Sequence, residues 1–198
     1  MYGARRRNPL TKSPIKSLCV YCGSRAGDDS IYAETAKKLG ESLAETGTRL
    51  VYGGGKLGLM GITAGTVRDL GGDVFGVIPK FLVSVEGVLE GVDHIEVDSM
   101  HERKMRMFEE SDAFCVLPGG IGTLEEIIEL LSWVRLDLHR KPLILCNVKG
   151  YWDPLVKLLH HVVDEGFAAK ELKEDLIVVS SPEEVMPAAC ERMLCARA

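Results

Sequence analysis

The sequence predicts an α/β protein in which helices cover both faces of a parallel sheet. Short apolar runs alternate with amphipathic segments along the chain, and this βαβα order favours an open sheet with right-handed crossovers. The apolar runs are rich in Val, Ile and Leu without alternation, which is typical of strands buried on both faces. The 198 residues are close to the length of one domain, so we expect a single doubly wound, three-layer α/β/α domain.

Seven apolar segments are predicted strands: Ser17–Tyr21, Leu50–Tyr52, Val74–Ile78, His94–Val97, Ala113–Leu117, Leu143–Cys146 and Leu176–Val179. The first helical pattern begins near Asp28, a candidate N-cap, and ends before Gly47. It places one stripe on a single face: Ile31, Thr35, Leu39 and Leu43. Other helical patterns lie near Gly61–Leu70, Met100–Glu110, Thr123–Leu136, Pro154–Glu165 and Pro182–Leu194. Segment Phe81–Asp93 is expected to be the one long irregular loop, and such loops are often functional.

Charge and hydropathy disfavour two classes of partner. The 24 Lys and Arg residues against 29 Asp and Glu residues give a net charge of −5, whereas general nucleic-acid binders are usually basic. No apolar run approaches the ~18 residues of a membrane span. We therefore expect neither a nucleic-acid partner nor a membrane partner, although a local positive pocket for an anion remains compatible with this total.

The two ends and the cysteines point to a reducing compartment. Residues 1–14 form a basic arm without the apolar core of a secretory signal, so we expect a cytoplasmic protein whose disordered arm precedes a domain at 15–198. Cys19 and Cys22 form a C-x-x-C pattern, but residues three apart on a strand face opposite sides. All this predicts reduced core cysteines rather than a zinc or redox pair.

Three glycine clusters follow predicted strands and precede predicted helices. They are Cys22-Gly23-Ser24-Arg25, Gly53-Gly54-Gly55-Lys56-Leu57-Gly58 and Pro118–Glu126. Glycine lets the backbone approach a ligand, and the helix N-terminus behind it offers unpaired N–H groups and a positive dipole end. Because strand carboxyl ends meet at one edge of such a sheet, the three clusters together predict an anion site.

Two nucleotide-binding motifs fit less well. Residues 53–58 match G-x-G-x-x-G, but that fingerprint requires an acid at the end of the next strand, and Asp73 lies at its beginning. The G-x-x-x-x-G-K-[ST] pattern of P-loop enzymes is absent from the sequence. Both observations disfavour a dinucleotide or P-loop site.

Charged side chains accompany these clusters. Met100, Arg103, Lys104 and Met107 share one face of a predicted helix that begins at the ligand edge, which favours a functional cationic pair. Glu125 and Glu126 are predicted in the first helical turn after the third cluster, where acids often merely complement the helix dipole. A phosphate on that cluster would place its sugar near these carboxylates, and a carboxylate near ribose C1 can stabilise an oxocarbenium-like transition state.

Together these motifs resemble the Lonely Guy family of cytokinin riboside 5′-monophosphate phosphoribohydrolases, over about residues 15–185. The matching segments are Val20-Tyr21-Cys22-Gly23-Ser24, Tyr52-Gly53-Gly54-Gly55, Gly58-Leu59-Met60-Gly61, Met100-His101-Glu102-Arg103-Lys104 and the P-G-G-x-G-T-x-x-E pattern of Pro118–Glu126. The resemblance implies a Rossmann-like fold, a homodimer and hydrolysis of AMP or N6-modified AMP to base and ribose 5-phosphate. It implies no cofactor.

The resemblance also implies residue roles. Arg103 and Glu126 are expected to be the catalytic pair. Substrate contacts are expected from Gly23, Ser24, Gly54, Gly55, Glu86, Met100, Arg103, Lys104, Gly119, Gly120, Ile121, Gly122, Thr123, Leu124, Glu125 and Ser132. Ser132 stands where relatives often have Thr, and Ile121 where plant members are often aromatic, so the preferred base stays open.

Two other functions fit the sequence less well. Family members have been labelled lysine decarboxylases, but that chemistry needs pyridoxal phosphate on a lysine, and neither Lys56 nor Lys104 lies in a pattern specifying such a site. A non-catalytic nucleotide or cofactor carrier would keep the glycine loops without the Arg103–Glu126 pair. No metal is expected, since the histidines lack ligand spacing, and His160-His161 is expected on a helix surface.

Overall fold

The computed structural model describes residues 14–195, so the basic arm before Pro14 lies outside the described residues. Seven strands form one sheet in the order β4-β3-β2-β1-β5-β6-β7. They are β1 (Ser17–Tyr21), β2 (Arg49–Tyr52), β3 (Val74–Pro79), β4 (Asp93–Val97), β5 (Ala113–Val116), β6 (Leu143–Cys146) and β7 (Leu176–Val179). All six strand pairs are parallel, which confirms the predicted sheet.

Helices connect these strands. They are α1 (Ser30–Thr46), α2 (Gly58–Asp69), α3 (Lys80–Glu86), α4 (Met100–Glu109), α5 (Ile121–Arg135), α6 (Asp153–Asp164), α7 (Leu172–Asp175) and α8 (Val185–Cys195). Short 3₁₀ turns lie at Val148–Gly150 and Pro182–Glu184. The chain continues from β1 to β2 on one side and returns to β5 on the other, so the strand order reverses at β1, where ligands bind in such sheets.

Side chains of β1 alternate between two separate cores. Leu18 and Val20 pack in a cluster that includes residues of α1, α2 and α8, whereas Cys19 and Tyr21 pack with residues of α4, α5 and α6. This arrangement confirms the three-layer α/β/α architecture. Cys19 and Cys22 belong to opposite clusters, and both are free thiols, as the strand geometry predicts.

The first helix differs from its prediction at one end. Asp29, not Asp28, is the N-cap, and its carboxylate accepts a hydrogen bond from the Ile31 N–H at 3.1 Å. Gly47 ends the helix at φ 67°, a left-handed conformation that glycine adopts without steric cost. Two adjacent aspartates give the sequence no means of choosing between them.

Three other helices differ from the predictions. Segment Phe81–Asp93 is not wholly irregular, because Lys80–Glu86 forms α3, a helix with no buried residue and hence no apolar stripe to reveal it. Helix α5 begins at Ile121, two residues earlier than predicted, so Glu125 and Glu126 lie in its second turn rather than its first. The four-residue α7 was missed.

The exposed histidines of α6 follow one further prediction. His160 and His161 are exposed on α6, as expected for that helix face. Within residues 14–195, no helix has the length and apolar character required to cross a bilayer.

Candidate active site

A cavity of about 720 Å³ opens at the carboxyl ends of the central strands. The loops after β1 and β5 line two of its sides, at Cys22–Gly27 and Pro118–Thr123. Gly53 after β2 and side chains from α3, α4 and α5 contribute further parts of the lining. The structure therefore brings residues of all three glycine clusters to one edge of the sheet.

Glycines let the β1 and β5 loops touch each other. The Gly23 N–H donates to the Pro118 carbonyl at 3.0 Å, and a Cβ on Gly23 would lie 3.4 Å from Gly119 Cα. A Cβ on Gly119 would overlap the Thr123 hydroxyl. A larger residue at Gly119 would thus displace the turn that leads into α5.

Arg103 is the buried cation of the cavity. Its side chain extends from α4, is only 6% exposed, and donates from Nη2 to the Gly53 carbonyl at 3.2 Å. A Cβ at Gly53 would overlap that nitrogen, so glycine is required where the guanidinium crosses the β2 loop. Its Nε is buried and has no hydrogen-bond partner among the described residues. A guanidinium with an unused buried donor is suited to bind an anionic or polar ligand.

Glu126 lies on α5 in the same cavity. Burial raises the pKa of Glu126 to about 8, against the opposing effect of the Arg103 guanidinium. The ionised form of a carboxyl group removed from water is stabilised when a positive charge approaches it. The cavity therefore combines a carboxyl group of raised pKa with a buried guanidinium, a combination concentrated at functional sites.

Lys104 serves a different purpose from its neighbour Arg103. Its ammonium donates to Glu125 at 2.6 Å and to Glu129 at 3.0 Å, linking α4 to α5. Burial lowers the pKa of Lys104, but the hydrogen bonds to the two carboxylates outweigh burial and raise it overall. Lys104 therefore remains charged, and it does not line the cavity.

Glu86 reaches the cavity from α3. Its Oε2 is buried without a hydrogen-bond partner among the described residues, and a Cβ on Gly55 would lie 2.8 Å from that oxygen. The backbone of this region is fixed by a bridge between Gly55 and Val88. Helix α3, which lies in the segment predicted to be a loop, is thus the element that places Glu86 at the cavity.

The cavity gathers most, but not all, of the residues expected from the sequence. Those that line it are Gly23, Ser24, Glu86, Met100, Arg103, Gly119, Gly120, Ile121, Gly122, Thr123, Glu125 and Glu126. Those that lie outside its lining are Gly54, Gly55, Lys104, Leu124 and Ser132. Ser132 is exposed on α5, where its hydroxyl donates to the Ile128 carbonyl at 2.7 Å.

Sequence reasoning missed several residues of the lining. The Tyr151 hydroxyl donates to the Gly119 carbonyl at 2.7 Å, and its ring meets that of Tyr32 edge to face at 5.5 Å. Arg25 and Tyr21 also line the cavity. All but Tyr32 lie at or just beyond the carboxyl end of a strand, so applying the strand-end rule to every residue type would have found them.

The chain is similar to proteins of a known family. A family model described as "Possible lysine decarboxylase" matches residues 60–189. Cytokinin riboside 5′-monophosphate phosphoribohydrolase LOG of Oryza sativa subsp. japonica is 45% identical over 172 residues, which are 86% of this chain and 70% of that protein. The chain belongs to the Lonely Guy family. Its relative LOG7 of Arabidopsis thaliana is 45% identical over 87% of this chain and 79% of that protein.

Solved structures show the Lonely Guy fold in more distant proteins. The Moco carrier protein of Chlamydomonas reinhardtii gives a TM-score of 0.67 at 21% identity, covering 92% of this chain and 98% of that one. The molybdenum cofactor binding protein of Rippkaea orientalis gives 0.63 at 20% identity, covering 92% and 96%. At such identities the likeness shows the fold alone, which confirms the Rossmann-like class.

Proposed function

We propose that this chain hydrolyses the N-glycosidic bond of adenosine 5′-monophosphate, N6-substituted or not, to release the base and ribose 5-phosphate. The observation that carries the proposal is the meeting of buried Arg103 and Glu126 in one cavity beside a glycine-rich helix N-terminus. The names of the relatives support the same reaction. A carrier needs only the glycine loops.

The 5′-phosphate is assigned to the loop at Gly119–Thr123. Helix α5 begins at Ile121, and its N-cap, Gly120, makes no side-chain capping hydrogen bond. The first N–H groups of a helix lack partners within the helix, and its N-terminus carries a partial positive charge. A phosphate is the kind of ligand that satisfies both features.

The ribose then lies between Arg103 and Glu126. As the bond from C1 to the base breaks, its electron pair leaves with the base nitrogen and positive charge develops on the sugar. The ionised carboxylate of Glu126 stabilises that charge and orients a water whose oxygen bonds to C1. One of the two protons of this water ends on the released base, and the other stays on the new C1 hydroxyl of ribose 5-phosphate. We assign Arg103 to the ribose phosphate portion and Glu86 to the base.

The label of lysine decarboxylase is a second candidate that the site does not favour. A lysine that forms a Schiff base must be readily deprotonated. Lys104 is instead held as an ammonium by Glu125 and Glu129, and neither it nor Lys56 lines the cavity. These residues do not fit pyridoxal phosphate chemistry.

We further propose a homodimer built on the exposed face of α5. Ile121, Ile128 and Leu136 are 84%, 44% and 60% exposed, and Ser132 lies on the same face at helical spacing. An apolar stripe of this kind is suited to a second copy. Because Ser132 lies outside the lining of its own cavity, it would contact only a substrate bound in the partner subunit's cavity. The single domain of residues 15–198, its cytoplasmic location and the absence of a nucleic-acid partner stand as parts of the proposal.

The deciding experiment follows base release chromatographically. Purified protein is incubated with AMP and with N6-isopentenyl-AMP, beside the variant Glu126→Ala and the matched control Glu109→Gln, which alters an exposed carboxylate on α4. We expect release by the wild type and the control, and a loss of about 100-fold or more in Glu126→Ala. Nucleotide binding without release by the wild type would favour the carrier instead.

A further inference from the structure

The cavity lining contains acidic as well as basic side chains, although the proposed substrate is an anion. Two cations, Arg25 and Arg103, face three carboxyl groups, Glu86, Glu125 and Glu126. A phosphate monoester adds about −1.5 to −2 charges at pH 7. Lys104 offsets the charge of Glu125, one of these three groups, but it lies outside the lining and also binds Glu129, so it does not offer the phosphate a contact. The phosphate therefore needs a cation of its own.

Arg103 is poorly placed to be that cation alone. It is 6% exposed, its Nη2 is committed to the Gly53 carbonyl, and its charge acts on Glu126. Arg25, by contrast, is exposed at the cavity, and within residues 14–195 its guanidinium has no hydrogen bond or ion pair. Of the two arginines, only Arg25 has its full set of side-chain donors available.

Close packing fixes the backbone that carries Arg25. A Cβ on Gly58, at the start of α2, would overlap the peptide between Ser24 and Arg25. On the other side, a Cβ on Gly23 would lie 2.9 Å from the Arg25 carbonyl. The Gly23 N–H in turn bonds to Pro118, directly before the loop assigned to the phosphate. Arg25 is therefore attached to a rigid support next to that loop.

We infer that Arg25 binds the 5′-phosphate of the substrate and makes the site selective for nucleotides over nucleosides. This inference rests on the proposed function. The planar guanidinium is able to bind two phosphate oxygens at once, which a lysine ammonium does not reproduce. Because Arg25 is exposed, its contact with the phosphate is screened by salt, unlike the buried contacts of Arg103.

The test compares Arg25→Gln and Arg25→Lys with the wild type and with Arg140→Gln, which removes an exposed arginine outside the cavity lining. In Arg25→Gln we expect the KM for AMP to rise about 10–100-fold, as for loss of a charge-assisted hydrogen bond, while kcat changes little. Arg25→Lys should recover part of the loss. The dependence of KM on salt should weaken in Arg25→Gln and persist in the control.

Direct binding separates this inference from the proposed function. Calorimetric titration with ribose 5-phosphate and with adenosine needs no turnover, so it reports on Arg25 even if AMP is not hydrolysed. We expect Arg25→Gln to weaken ribose 5-phosphate binding by the same factor as KM and to leave adenosine binding unchanged. Unchanged ribose 5-phosphate binding, or an equal loss for both ligands, would overturn the role assigned to Arg25.

Discussion

Polar and charged side chains at the two ends of the central sheet differ in how fully they are hydrogen-bonded. At the amino ends, the Asp112 carboxylate accepts from the N–H groups of Lys16 and Ser17 at 2.8 and 3.1 Å. Arg49 binds Glu110 at 2.9 Å and approaches Asp73 at 3.6 Å. At the carboxyl ends, by contrast, three buried side-chain atoms lack hydrogen-bond partners among residues 14–195: Glu86 Oε2, Arg103 Nε and Trp152 Nε1. The first two belong to residues that line the cavity.

The unpartnered atoms lie at the edge of the sheet where the fold is able to bind a ligand. A buried polar atom without a partner is destabilising, and native proteins satisfy nearly all of them. The amino end follows that rule, so its charges are explained by stability. The carboxyl end departs from it around the cavity, and a ligand that supplies the missing partners explains the departure.

The largest effect is expected at the carboxyl end, where a change at Glu126 should alter both base release and the pH dependence of stability. Glu126→Gln should lose base release, yet become more stable than the wild type at alkaline pH. The folded-state pKa of Glu126 is raised from 4.5 to about 8, so the wild type loses stability as pH rises through that window. Gln stays neutral throughout, and its advantage should grow from near zero below pH ~4.5 to about 1–3 kcal/mol above pH ~8.

Urea unfolding at several pH values checks this prediction. Glu109→Gln, an exposed carboxylate on α4, is the control and should show no such trend. A Glu126→Gln protein that is less stable than the wild type at pH ~9 would mean that the carboxylate is satisfied in the folded chain.

A smaller effect is expected where glycine makes room for Arg103. In Gly53→Ala the new methyl group would overlap Nη2, so Arg103 must move and base release should fall about 10–100-fold. Gly65→Ala is the matched control on α2, where the nearest atom to a Cβ lies 3.9 Å away. That control should keep its activity and gain about 0.5–1 kcal/mol of stability. Equal activity of both variants would mean that Gly53 is not required for the position of Arg103 in the active site.

The smallest effect on activity is expected at the amino end. Arg49→Met removes two ion pairs and a contact with the Phe75 ring, and should lower the free energy of unfolding by about 1 kcal/mol. Base release should stay within about twofold of the wild type, because the change in unfolding free energy affects only the small unfolded fraction. Parallel thermal melts and rate measurements check this, and a large loss of rate in the folded variant would contradict the division between the two ends.

Much of the fold was predictable because its signals are local. Short segments with apolar residues identified every strand, and the bounds of β1, β6 and β7 match the prediction at both ends. Helix α3 was missed because an element with no buried residue has no apolar periodicity. The N-cap of α1 was misplaced by one residue because Asp28 and Asp29 have equal capping propensity.

The candidate site was predictable only in part, for a physical reason. Strand-end glycines and charged residues identify the edge at which a cavity forms, but not which side chains enter it. Arg103 and Lys104 are adjacent on α4, yet one lines the cavity and the other binds Glu125 and Glu129. That division depends on how α4 packs against α5, which no local pattern records. Tyr151 enters through a loop some 30 residues beyond the glycines it contacts.

The dependence of wild-type kcat/KM on pH shows whether Glu126 acts as a carboxylate, since it reports the ionisation of the free enzyme. If Glu126 acts as a carboxylate with the pKa of about 8 that burial gives it, kcat/KM for AMP should rise with pH, reach half of its maximum near pH 8 and level off about one pH unit higher. The substrate phosphate titrates near pH ~6 and would give a separate, lower break. A profile that is flat between pH 6.5 and ~9, or that falls as Glu126 ionises, would contradict the account.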